Sequence, residues 1–195
     1  MLPLGMALEE SVGLPILFNL RGDVEAPADI LVVSMDKESS ERLGLEGEPE
    51  KWPRALHAEL IENLSEKGAV VISFDILFNK TRSPEEDRAF SEAIHKAGNV
   101  VLCQCLKRDI VPVTMGEFSA NLNIETAEPP IPSLAGAAAA LAPFPLPKIP
   151  ARVSQFWTFK TGAGDTPTMP VVAFQIFTLD EYGAFVDLMK STGVP

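Results

Sequence analysis

The residues that could do chemistry are few and lie mostly in the first half of the chain. Asp36 closes the apolar run ADILVVSMD (28–36), and Asp75 is set into GAVVISFDILFN (68–79). Between them WPR opens a helical pattern with Trp52, Pro53 and Arg54. A carboxylate on a strand-like run is unusual, because desolvating it unpaired costs on the order of several kcal/mol or forces protonation. Two such acids with an arginine within reach allow three readings. They could form an acid–arginine pair that fastens a loop, a polar cluster that holds a ligand or ion, or carboxylates for acid–base catalysis. Asp75 is expected to be paired, with Arg54 or with a loop amide.

Other chemistries find less support. Aspartyl phosphoryl transfer wants a second Asp two residues after the first, and SMDKES supplies Lys37 and Glu38 after Asp36 instead. In KTGAGDTPT (160–168), Lys160 and Thr161 precede both glycines, whereas a phosphate loop needs Lys and Ser or Thr after them. That stretch reads as a turn into a helix capped by Asp165, Thr166 or Thr168, with anion binding at the helix start left open. His57 and His95 fall on helical patterns, and no nucleophile elbow accompanies them. Cys103 and Cys105, one residue apart, are too few for a zinc site and poorly aimed for a disulfide. RGD at 21–23 is a chance tripeptide. No catalytic residue, metal or cofactor is therefore assigned.

The elements that must position the two acids follow from apolar patterning. The runs 28–36, 69–78 and 99–106 are rich in Val and Ile and read as buried parallel strands. Residues 52–68 form a helix with Pro53 in its first turn, Gly68 at its end and a stripe of Leu56, Leu60, Ile61 and Leu64. Residues 83–98 form a second helix, with Ser83 as cap, Pro84 at the first position and Gly98 past the end. This predicts an α/β fold with a mostly parallel sheet and flanking helices, its βαβαβ core at 28–106. Asp36, Asp75 and Arg54 would then meet at the carboxyl edge of the sheet, where open α/β folds bind ligands.

Beyond the core lies a proline-crowded arm (128–151) around a short Ala-rich helix capped by Ser133. A strand–loop–helix unit (152–191) follows, its helix at 171–190 broken near Gly183. The whole, residues 1–195, reads as a single domain. A net charge of −11 argues against nucleic acid or an anionic membrane face as partner. No apolar stretch is long enough to span a bilayer and the N-terminus lacks a signal-peptide pattern, so the chain reads as soluble as it stands.

Several of these pieces resemble a known family. GLPILFNLRG (13–22), ADILVVSMDKESSERLG (28–44), WPRALHAELIENLSEKGAVVISFDILF (52–78) and EEDRAFSEAIHKAGNVVL (85–102) are similar to the second class of CHASE domains. These are cyclase- and histidine-kinase-associated sensory extracellular domains. The likeness is strongest over 13–102 and returns at FWTFKTGAGDTPTMPVVAFQ (156–175), without the D-x-D-G-v-x-R stretch of many members. The resemblance implies an extracytoplasmic, non-catalytic input domain of a bacterial membrane protein, set between membrane helices. Its output module would be a nucleotide cyclase, a histidine kinase or a related enzyme. It also implies an unidentified small-molecule or ionic stimulus and leaves room for a homodimer. The binding cleft expected on this reading is lined by Asp36, Trp52, Arg54, Asp75 and Lys160. The alternative is a small α/β hydrolase or phosphatase using the two carboxylates.

Overall fold

The computed structural model describes residues 12–116, 118–146 and 156–192. They belong to two compact units, one of Met1–Gly47 with Pro145–Trp157 and one of Glu48–Phe144 with Thr158–Pro195.

The first unit contains helix α1 (Leu14–Arg21), with proline in its first turn, and helix α2 (Lys37–Leu43). Gly44 ends α2 in the left-handed conformation (φ 66°), which glycine adopts without the steric cost of a Cβ. The expected strand at 28–36 does not form. Pro27 and Ile30 close a turn, and residues 30–36 have no ladder partner among the described residues. Leu31 and Val32 are 75% and 83% exposed. The apolar pattern suits a strand, but a strand exists only through its ladder, and none is supplied here.

The second unit holds the α/β architecture. Helix α3 (Arg54–Glu66) leads to strand β1 (Ile72–Phe74), helix α4 (Pro84–Ala97) and strand β2 (Val100–Cys103). Next come a long antiparallel hairpin, β3 (Cys105–Met115) and β4 (Phe118–Glu128), a short helix α5 (Pro132–Ala137) and strand β5 (Ala140–Ala142). Strands β6 (Phe159–Lys160) and β7 (Thr166–Pro167) form a small pair before helices α6 (Met169–Phe177) and α7 (Tyr182–Ser191). The sheet is parallel with order β1-β2-β5, so a βαβ unit stands at its centre and β5 joins from the proline-rich arm.

β2 is the central strand, and all four of its residues are buried, as an unbroken apolar run requires. Its side chains alternate between faces. Val101 and Cys103 pack with Ala142, Met169 and Val172, which places α6 on one face of the sheet. Leu102 lies beside Phe74 in the register, and Phe74 meets Phe90 of α4 and His57 of α3 on the other face. The structure is thus α/β, a parallel sheet with flanking helices.

The helix signals around α4 operate as expected. Ser83 accepts from the Glu86 N–H, Pro84 takes the first position, and Gly98 closes the end at φ 70°. Other elements differ from expectation. The run 99–106 divides at Gln104, whose N–H still bonds the Ala142 carbonyl; Val100–Cys103 belong to the sheet and Cys105 onward to the hairpin. Helix α5 starts at Pro132 with Ile131 at its cap position, which puts Ser133 inside the first turn rather than ahead of it. The C-terminal helix, by contrast, is interrupted near Gly183 as expected, at the 3-10 turn Leu179–Glu181. Of the predicted strand at 152–160, only Phe159–Lys160 is paired, and residues 152–155 lie outside the described residues, as do 147–151 of the arm.

Phe90, fully buried between the sheet and α3, is the packing centre of this face. Phe90→Ala should lower unfolding stability by about 3–5 kcal/mol, whereas Phe174→Ala on the exposed side of α6 should change it by less than about 0.5 kcal/mol. Urea midpoints of the two variants against the parent chain check the difference.

Candidate functional site

The carboxyl edge of β1, β2 and β5 is assembled from several segments. Asp75 follows β1 directly, beside Cys103 at the end of β2. The loop after β1 is fixed at three points. The Ile131 N–H bonds the Phe78 carbonyl at 2.9 Å, the Asn79 side chain donates to Glu128 at 2.8 Å, and Lys80 offers its carbonyl to Arg54 at 2.9 Å. The Met169 N–H bonds the Pro143 carbonyl at 2.8 Å, bringing the start of α6 to the same edge. Thr168 holds the cap position of α6, and its hydroxyl donates to the Thr158 carbonyl instead of capping the helix.

Arg54 stands inside this framework, 1% exposed. Its Nε donates to Asp87 Oδ1 at 3.3 Å, and its guanidinium lies 4.5 Å from the Phe78 ring centre and 5.7 Å from that of Phe90. The other Asp87 oxygen accepts from the Arg82 N–H at 2.9 Å. One ion pair therefore ties α3 to α4 and holds both ends of the loop 80–82. Burial pulls the Arg54 pKa down from its ordinary value, and the Asp87 charge opposes that shift. The Asp87 carboxylate, in the first turn of α4, also faces the positive end of the helix dipole.

His57 lies one turn along α3, buried among the rings of Phe74, Phe78 and Phe90 at centroid distances of 6.1, 5.2 and 5.5 Å. Its Nδ1 is 3.1 Å from the Pro53 carbonyl. A carbonyl only accepts, so Nδ1 carries the proton. Nε2 is buried without a hydrogen-bond partner among the described residues. Burial, helped by the Arg54 charge, presses the pKa below the usual imidazole value against the pull of the Pro53 carbonyl, and the ring is neutral.

The residues expected to line one cleft have individual roles. Asp36 is exposed in the first unit, where its carboxylate accepts from the Ser39 N–H at 2.8 Å and caps α2; that bond lowers its pKa. Trp52 is buried, 5% exposed. Arg54 pairs with Asp87 and not with Asp75, because it points into the aromatic layer between the helices while Asp75 is exposed at the sheet edge. Among the described residues Asp75 has neither a basic nor an amide partner, contrary to expectation. Partial burial raises its pKa, against a hydrogen bond from the Cys103 thiol. Cys103 and Cys105 are both free. Burial and then the Asp75 charge push Cys103 up to about 11, against the pull of the Phe144 N–H, so it is a thiol at neutral pH and no activated nucleophile. Lys160 reaches Glu125 of β4 at 3.4 Å, and Arg108 of β3 reaches the same carboxylate at 2.9 Å. The turn at Gly162 approaches this carboxylate closely, since a Cβ there would stand 3.0 Å from Glu125 Oε2.

Sequence reasoning passes over Asp87 and Phe90 and leaves His57 on a helical pattern without a role. A signal for Asp87 was present. It stands three residues before Phe90 and seven before Ile94, on the stripe that α4 buries, whereas Glu85 in the same turn is exposed. On α3 the buried stripe is Arg54, His57 and Ile61, with the same spacing, while Leu56, Leu60 and Leu64 are only half-buried. The stripe is rotated from the expected one because two of its three members are polar, and the partners of Arg54 come from distant segments.

Among the described residues no group of three or more His, Cys, Asp and Glu is gathered as a metal would require. No helix among them is long and apolar enough to cross a membrane. The family model described as the CHASE2 domain matches residues 6–181. The chain belongs to the CHASE2 family. This is a family of extracytoplasmic sensory domains, and the WPR and FDILF motifs of this CHASE2 domain supply Trp52, Arg54, Phe74 and Phe78 to its buried residues. No curated protein and no solved structure matches the chain.

The buried layer of this CHASE2 domain can be probed at both of its polar members. Asp87→Ala strands the Arg54 charge in the core and should cost about 3–5 kcal/mol of unfolding stability, more than removal of the exposed Arg88–Glu92 pair, worth less than about 1 kcal/mol. Chemical denaturation of both variants checks this. His57 has a folded pKa below its unfolded value near 6.5, so its contribution is complete above that value and is lost as pH falls through and below it. The urea midpoint should therefore drop between pH 7.5 and pH 5.5, roughly the imidazole window, and should drop less in His57→Phe.

Proposed function

We propose that this domain is the non-catalytic input module of a bacterial membrane-bound signalling protein whose output is a nucleotide cyclase or a histidine kinase. Membership of the CHASE2 family carries the reading. In the longer protein the domain lies outside the cytoplasm between membrane helices. The stimulus is a small molecule or an ion received at the carboxyl edge of the sheet, with Asp75 as the contact residue. Asp75 is exposed at the place where parallel α/β sheets take ligands, and it lies beside a loop held at defined points. Arg54 supports that loop from within through the Lys80 carbonyl, Trp52 is buried just ahead of Arg54, and Lys160 fixes the neighbouring turn through Glu125. Asp36 serves its own helix as a cap.

The hydrolase reading rested on Asp36 and Asp75 standing as two carboxylates at one edge of the sheet. Residues 28–36 form no strand, so its motive falls away.

A stimulus that binds the folded domain stabilises it by mass action, by about 2.7 kcal/mol at a hundredfold excess over Kd. For a domain of this size that is a rise in Tm of roughly 5–10 °C. A thermal-shift panel of metal ions, amino acids, carboxylic acids and nucleotides, run on the parent chain and on Asp75→Asn, tests the site. A compound that shifts the parent and shifts Asp75→Asn much less supports it. Equal shifts in both would remove Asp75 from the site.

A further inference from the structure

We propose that the β3–β4 hairpin is a contact between two copies of this chain, with β4 of one copy lying antiparallel beside β4 of the other. This contact goes beyond the sensor reading and is independent of the stimulus. The hairpin pairs eleven residues of β3 with eleven of β4, and each strand has only the other as ladder partner among the described residues. Ile110, Val111 and Val113 are exposed on it. A two-stranded ribbon wet on both faces is marginal in water, and its outer edges present unpaired N–H and C=O groups.

The two edges are not equivalent. The register runs unbroken through Pro112, opposite Asn121. Proline has no N–H to give the ladder, so this is a non-hydrogen-bonded pair, with the backbone groups of both residues directed outward. On β3 the outward position at 112 is therefore blunted. On β4 the alternation leaves Ser119, Asn121 and Asn123 with outward N–H and C=O groups. Further along, the Thr161–Ala163 turn flanks Glu125, so among the described residues the open stretch is 119–123.

A second copy suits this edge for two reasons. An antiparallel strand pair about a two-fold axis at Asn121 sets 119 against 123 and 121 against itself, so each outward group meets its complement. Charge points the same way. Each chain carries −11, yet residues 110–124 contain one ionisable side chain, Glu117. The hairpin edge is thus one place where two such acidic chains can approach without setting carboxylate against carboxylate along the paired strands. The contact is short, so the dimer is weak.

Sedimentation of the 195-residue chain over a concentration series up to roughly 0.5 mM tests this, with Asn121→Pro and Asn121→Lys alongside. Asn121→Pro removes an outward N–H and spares the β3–β4 ladder, while Asn121→Lys sets like charges opposite one another across the axis. The parent should approach twice 21.1 kDa, and both variants should stay at 21.1 kDa with unchanged circular dichroism. In the parent, amide exchange at Ser119, Asn121 and Asn123 should slow about tenfold on concentration. A parent chain that remains monomeric throughout overturns the proposal, as does a natively folded variant that dimerises like the parent.

Discussion

The Arg54–Asp87 ion pair is the constraint on which the second unit depends. A guanidinium with 1% exposure is tolerable only when its charge is met, and here Asp87, the Lys80 carbonyl and two aromatic faces meet it. The same pair joins α3 to α4 and anchors the loop after β1, so the helices, the loop and the sheet edge are set by one interaction. Apolar replacements of both partners could preserve packing, but they would release the loop, because the Lys80 carbonyl and the Arg82 N–H would lose their partners.

This arrangement explains how a domain without an activated nucleophile or a metal cluster among its described residues can serve as an input device. Asp75 is open to solvent, while Phe74 and Phe78, on either side of it, are buried in the aromatic layer. A group bound at Asp75 would bear on β1 and on the loop tied to Arg54, and through Asn79 and Glu128 on the base of the hairpin. Any effect requires different affinities for two arrangements of this edge, since a ligand indifferent to them shifts nothing.

Much of the sheet and its helices was legible in the sequence. Ser83, Pro84 and Gly98 delimit α4, and the unbroken apolar run of β2 marks a central parallel strand. Less legible was the antiparallel hairpin, whose strands mix polar and apolar residues and whose β3 contains Pro112. β5 was hidden in a proline- and alanine-rich stretch, because three residues are enough when a partner strand already exists. The strand expected at 28–36 had the right composition but no ladder. For the candidate site, Asp75 at the sheet edge was readable from its place in the run, whereas the partner of Arg54 was not. Asp87 lies 33 residues away, and only the packing of α3 on α4 brings the two together.

Whether the domain reports conditions at the Asp75 edge to an output module is tested most directly on the membrane-bound signalling protein proposed to carry it. The measurement is output activity, compared between the parent and Asp75→Asn at equal membrane abundance. A changed activity set-point is expected in the variant, with the isolated domain still folded. Identical output in parent and variant, under every condition that moves the parent's activity, would contradict a sensory role for this edge.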